Sequence, residues 1–182
     1  MRRFVFALLA VAALAGAAGT TVPASGEADS EAAPIYGIKI PSGYRDWRLI
    51  SVNHLSGAGG KLKQVRAQLG NDIAMEAFRK GQLPFPDGAI IAALHWNEVA
   101  SEENDKVLAE GFPGAGLKSV VAGSPVNIQF MVKDSKKYAA SGGWGYADFT
   151  NGKPGSEALH QTCFACHKPA AERDYIFTRY AH

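Results

Sequence analysis

The sequence predicts an α+β domain, mainly antiparallel β-sheet with a few helices, one of them at the C-terminal end. Three observations point there. Short stretches rich in β-branched and aromatic residues recur between Gly, Pro and Asn breakers, which is the pattern of a sheet. Residues 71–81 carry helical spacing together with a start and a stop signal. Pro154 and Pro169 bracket Gly155 to Lys168, a last helical stretch that holds both cysteines of the 182-residue chain.

In order, Pro41 to Gly43 reads as a turn, and 44–52 as a helical turn running into a strand. Gly57, Gly59 and Gly60 mark a loop, after which 62–69 reads as a strand. Asn71 is a helix N-cap, Ile73, Ala74, Ala77 and Phe78 keep helical spacing, and Gly81 stops it. A turn at Pro84 to Gly88 leads into 89–96, a short apolar run bounded by breakers and read as a buried strand. Glu98 to Glu110 is loop or exposed helix, its charges a solvated face. Leu117 to Ala122 and Val126 to Val132, separated by Gly123-Ser124-Pro125, read as a β-hairpin. Lys133 to Tyr138 is polar, and 142–149 is a glycine-relaxed strand with alternating aromatics.

Composition narrows the class. With 47% hydrophobic and 20% charged residues the chain can bury a globular core. Met1-Arg2-Arg3 followed by the apolar run Phe4 to Ala18 has the charged and apolar regions of a secretory signal, too short for a membrane span. Cleavage fits Ala15-Gly16-Ala17 or Val22-Pro23-Ala24. The expected division is a signal at 1–24, a flexible leader at 25–33 and one domain at 34–182. Losing Arg2 and Arg3 leaves 17 basic and 17 acidic residues, a balance that argues against a nucleic-acid partner. The expected location is the periplasm, with no stable membrane insertion.

Cys163-Phe164-Ala165-Cys166-His167 is the C-x-x-C-H pattern that attaches one covalent haem c. On a helix, residues three and four apart share a face, so two thioethers and an axial imbidazole nitrogen from His167 can converge on one macrocycle. Two alternatives stand beside this reading. A redox disulfide belongs at a helix start in a βαβ unit, which the sequence lacks. A zinc site needs a second C-x-x-C or H-x-x-x-H, also lacking. After Pro169 only 13 residues remain, with Tyr175, Phe177 and Tyr180 to pack beside a haem, so its opposite wall must come from upstream. Met75 and Met131 read as core filler, and His54, His95 and His160 as surface or hydrogen-bonded histidines, so the iron is expected five-coordinate with an open site. An open iron binds small diatomics and amines, which favours ligand chemistry over plain electron transfer.

Tyr44-Arg45-Asp46-Trp47, Phe85-Pro86-Asp87-Gly88, Val132 to Tyr138, Cys163 to Pro169 and Asp174 to Arg179, in that order, resemble the cytochrome P-460 family. The resemblance implies a mainly antiparallel β domain, a homodimer and one five-coordinate haem. It implies either hydroxylamine oxidation, with electrons passing to a redox partner cytochrome, or the nitric oxide and carbon monoxide binding of the β-form cytochromes c′. In hydroxylamine-oxidising members a lysine five residues after the Gly of the Asp-Gly turn bonds to the haem edge. That position here is Ala93, and Lys80 and Lys106 lie outside the strand, so the enzymatic reading is weakened and a nitrogen-oxide or diatomic ligand is favoured. Arg66 matches the family's distal arginine, where it would hydrogen-bond a bound nitrogen oxide. Glu157 is the candidate proton acceptor, and Phe78 and Phe85 are candidate apolar caps on the distal side.

Overall fold

The computed structural model describes residues 30–182; the expected signal and most of the leader lie outside the described residues. Six strands form one sheet in sequential order: β1 Arg48–Ser56, β2 Lys63–Gly70, β3 Ile90–Ala100, β4 Val120–Lys133, β5 Trp144–Thr150 and β6 Lys153–Pro154. Every neighbouring pair is antiparallel. Helix α1, Asp72–Lys80, follows β2; α2, Glu102–Gly111, follows β3; and α3, Glu157–His167, follows β6. The expected α+β class is the observed one. No helix among the described residues is long and apolar enough to cross a membrane.

The caps of α1 follow the sequence closely. The Asn71 side chain accepts from the Ala74 N–H at 3.0 Å, and Gly81 ends the helix in the left-handed region at φ 60°. Ala74 and Ala77 on its buried face are small enough to bring the helix close to the sheet.

One expectation is corrected. Leu117 to Ala122 and Val126 to Val132 do not fold back on each other; from Val120 onward they are one strand, β4. Its first part pairs with an extension of β3, Val120 opposite Ala100 and Ala122 opposite Glu98, and α2 bridges the two. The breakers have local uses instead. A Cβ on Gly123 would lie 2.4 Å from Val99 Cγ2, so glycine permits the close approach of β3. Pro125 lies opposite Trp96, where the register shifts on both sides, so its missing N–H falls at an irregular part of the ladder.

The two faces of the sheet differ. One is covered by the segment leading into β1 and carries Ile38, Ile40, Tyr44, Leu94, Phe130 and Phe149 in a common core. The other receives α1, α3 and the C-terminal tail; Met75, Phe85, Ile91, Trp144 and Ile176 form its apolar half. The rest of that second face is polar.

Candidate functional site

The polar part of the second face follows from strand periodicity. Residues two apart share a face, so β2 presents Gln64, Arg66 and Gln68 together. Register continues the pattern across the sheet. Asn53, Arg66, His95 and Asn127 lie in one cross-strand row, and Gln68, Ala93, Gln129 and Asp148 in the next. Opposite these rows stands α3, and between them lies a cavity of about 340 Å³, lined by every residue of the two rows except Asn127 and by Cys163, Cys166, His167, Tyr146 and Met131. That volume is in the range of small-molecule and cofactor sites.

Helix α3 is fastened to the sheet by His160, which is fully buried. Its Nδ1 meets the Ser156 carbonyl at 2.8 Å, and its Nε2 accepts the Asp148 N–H at 3.1 Å. The carbonyl can only accept, so Nδ1 carries the proton. Ser156 caps the helix by accepting the Leu159 N–H at 3.2 Å. His160, Cys163 and His167 are spaced by three and four, which sets the anchor and two motif residues on one face.

The motif residues meet the demands of the chemistry. The two cysteines are unpaired thiols. Burial first, and then the charge of Asp148, push the Cys163 thiol up to about 11, the reverse of the lowered value a redox C-x-x-C uses. Burial also lowers His167 below the ordinary imidazole value, against a raising hydrogen bond to Tyr175, which favours the neutral form a metal requires. His167 Nδ1 lies 2.7 Å from the Tyr175 carbonyl, which fixes its proton there and leaves Nε2 as the free ligand nitrogen. Tyr146 and Phe177 hold the ring, with centroids 4.8 and 5.0 Å away. The Tyr146 hydroxyl is buried with no hydrogen-bond partner, an orphaned polar atom in the wall of the cavity. These features fit a bound haem. Among the described residues no group of three or more His, Cys, Asp or Glu is placed to hold a metal ion by itself.

Other candidates separate by position. Arg66 lines the cavity, its Nε and Nη2 donating to Gln64 Oε1 at 3.0 and 2.7 Å, so it is braced by its own strand. Ala93 lines the cavity, and no lysine lies among the lining residues. Phe78 and Phe85 do not line it; they pack edge to face, centroids 4.8 Å apart, beside a separate groove. Glu157 is exposed at the start of α3, where it accepts from Gln161 at 3.3 Å, away from the cavity. His54 pairs with Glu98 outside the cavity, Met75 is on the buried face of α1, and His160 has both ring nitrogens engaged. His95 and Met131 do line it.

Sequence reasoning missed Gln68, Gln129 and Asp148. Asp148 is buried, and its Oδ2 accepts from Asn127 Nδ2 at 2.5 Å and Gln129 Nε2 at 3.0 Å. For Gln129 the signal was present as a polar position of the alternating run Val126 to Phe130, and that side chain lines the cavity. Burial first and the Arg66 guanidinium second lower His95 from 6.5 to about 4, against Asn127 and Asp148, so it is neutral there at ordinary pH.

A helix bearing C-x-x-C-H, laid over a cavity on an antiparallel sheet, defines a haem-binding protein of β architecture. The family model for cytochrome P460 matches residues 41–178, and the chain belongs to that family. Membership makes it a haem cytochrome. No individual curated protein matches the chain.

Proposed function

We propose that this is an exported, periplasmic monohaem cytochrome c whose iron, bound by His167, is open on its far side to nitric oxide or a similar nitrogen-oxide or diatomic ligand. The observation that carries the reading is the composition of the cavity. It joins both cysteines and the free nitrogen of His167 to a wall that has Ala93 where an amine would be needed for a haem cross-link. Haem supplies an iron that binds small ligands and exchanges single electrons. The chain's own residues supply the rest. Cys163 and Cys166 would hold the macrocycle by thioethers, and the Tyr175 carbonyl orients His167. Arg66, Gln68 and Gln129 offer hydrogen-bond donors to a bound oxide. The apolar half around Ile91 and Ile176 limits water.

One observation favours hydroxylamine oxidation as a second reading. Asp148 is a buried carboxylate lining the cavity, a better proton acceptor by position than Glu157. A plain electron carrier is the third reading, and it would require His95 or Met131 as a sixth ligand. Homodimer formation and a redox partner cytochrome belong to the same proposal through the family.

The readings part in one pair of assays. Ferrous protein titrated with nitric oxide is expected to bind one equivalent, and hydroxylamine with a one-electron acceptor is expected to give no sustained turnover. Continuous oxidation of hydroxylamine would overturn the binding role in favour of the enzyme.

A further inference from the structure

The backbone that holds His167 is in an unusual conformation. Asp174 (φ 51°, ψ 41°) and Tyr175 (φ 65°) are successive non-glycine residues in the left-handed region. Each is disfavoured for an L-residue and persists only where its surroundings over-determine it. Those surroundings are specific. Asp174 is held by Lys133 Nζ, 2.8 Å from Oδ1 and 2.9 Å from Oδ2, and by the Phe85 N–H, 2.8 Å from Oδ2. Lys133 in turn donates to the Gly142 carbonyl at 3.3 Å and lies 5.0 Å from the Trp144 ring centroid. The Tyr175 ring rests on Gly142, where a Cβ would come within 2.2 Å of it.

Both charged side chains are buried, 5% and 8% exposed. A buried ion pair is a poor way to gain stability, since apolar residues of similar volume often do as well. It does fix direction. Asp174 is the residue before the carbonyl that receives His167 Nδ1, so clamping its side chain sets where that carbonyl points.

We propose that Lys133 and Asp174 are positioning residues for the iron ligand. Their ion pair, with Gly142 as a seat for Tyr175, holds two left-handed residues so that the Tyr175 carbonyl keeps its hydrogen bond to His167. That bond would orient the imidazole and raise its basicity as a ligand to iron. The inference rests on His167 being the haem ligand.

The test uses ferrous holoprotein, read by the iron–histidine stretching vibration in resonance Raman and by the reduction potential. Two variants disturb the device differently. Lys133→Met with Asp174→Asn removes both charges and leaves an acceptor for Phe85, and Gly142→Ala keeps the ion pair but displaces Tyr175. Both are expected to move the band to lower frequency and raise the potential. Ile40→Ala, in the core on the other face of the sheet, is expected to move neither. An unmoved band in the charge-free variant, or an equal shift in Ile40→Ala, overturns the inference. If the charge-free protein does not mature, Gly142→Ala decides alone. A wild-type protein with no iron–histidine band would instead overturn the ligand assignment beneath it, a distinguishable failure.

Discussion

His160 and His95 show what two buried histidines do in one site. His160 uses both nitrogens to fasten α3 to β5, and it lies three residues before Cys163. His160→Leu fills much of the volume but strands the Asp148 N–H. It is expected to lower unfolding free energy by about 1–3 kcal/mol, seen as a reduced urea midpoint at unchanged slope. His95 acts through its proton. Its folded value, about 4, lies below the 6.5 of an ordinary imidazole, so between those values the unfolded chain binds more protons. Stability is therefore retained above about pH 6.5 and falls as the pH drops towards 4, by at most about 1.4 kcal/mol per pH unit from this group. Replacing it, as His95→Gln, is expected to flatten the stability profile in that window; an unchanged profile would show that His95 titrates normally.

At the level of elements, local chemistry was legible and pairing was not. Asn71 and Gly81 act as the caps their types suggest, and Pro154 and Pro169 lie just outside the two ends of the C-terminal helix. These signals are written within a few residues of where they act. Gly123-Ser124-Pro125 also resembles a turn, but a turn needs its two flanks to prefer each other. Here residues 120–122 find a partner in 98–100 across an intervening helix, a long-range choice that no short window records. Gly123 then serves the strand by its smallness. Gly123→Val is expected to cost about 1–3 kcal/mol by overpacking against Val99, measurable by thermal or urea unfolding. A neutral effect would mean that β3 and β4 separate easily at this point. The cavity wall was hidden for a related reason. Alternation identifies Arg66, Gln68, Asn127 and Gln129 as one face, yet it does not say whether that face meets water or a cofactor.

Across the whole molecule, the stretches that resemble the family converge on structure as much as on chemistry. Asp87 accepts from the Ser135 N–H at 2.7 Å and its hydroxyl at 2.8 Å, Gly88 N–H donates to the Lys133 carbonyl at 2.9 Å, and Phe85 N–H donates to Asp174. Blocks far apart in sequence thus lock the tail beneath the haem helix, and the tail delivers the Tyr175 carbonyl to His167. The proximal side is built by this lattice of contacts. The opposite wall is a polar sheet face that includes Ala93, and the proposed binding role rests on that wall. The central claim is a His167-ligated iron with no sixth ligand from the chain. Its most direct test is the absorption spectrum of the ferrous protein before and after nitric oxide. The account predicts a five-coordinate, high-spin spectrum that changes on addition of the gas; a six-coordinate, low-spin spectrum that stays the same would contradict it.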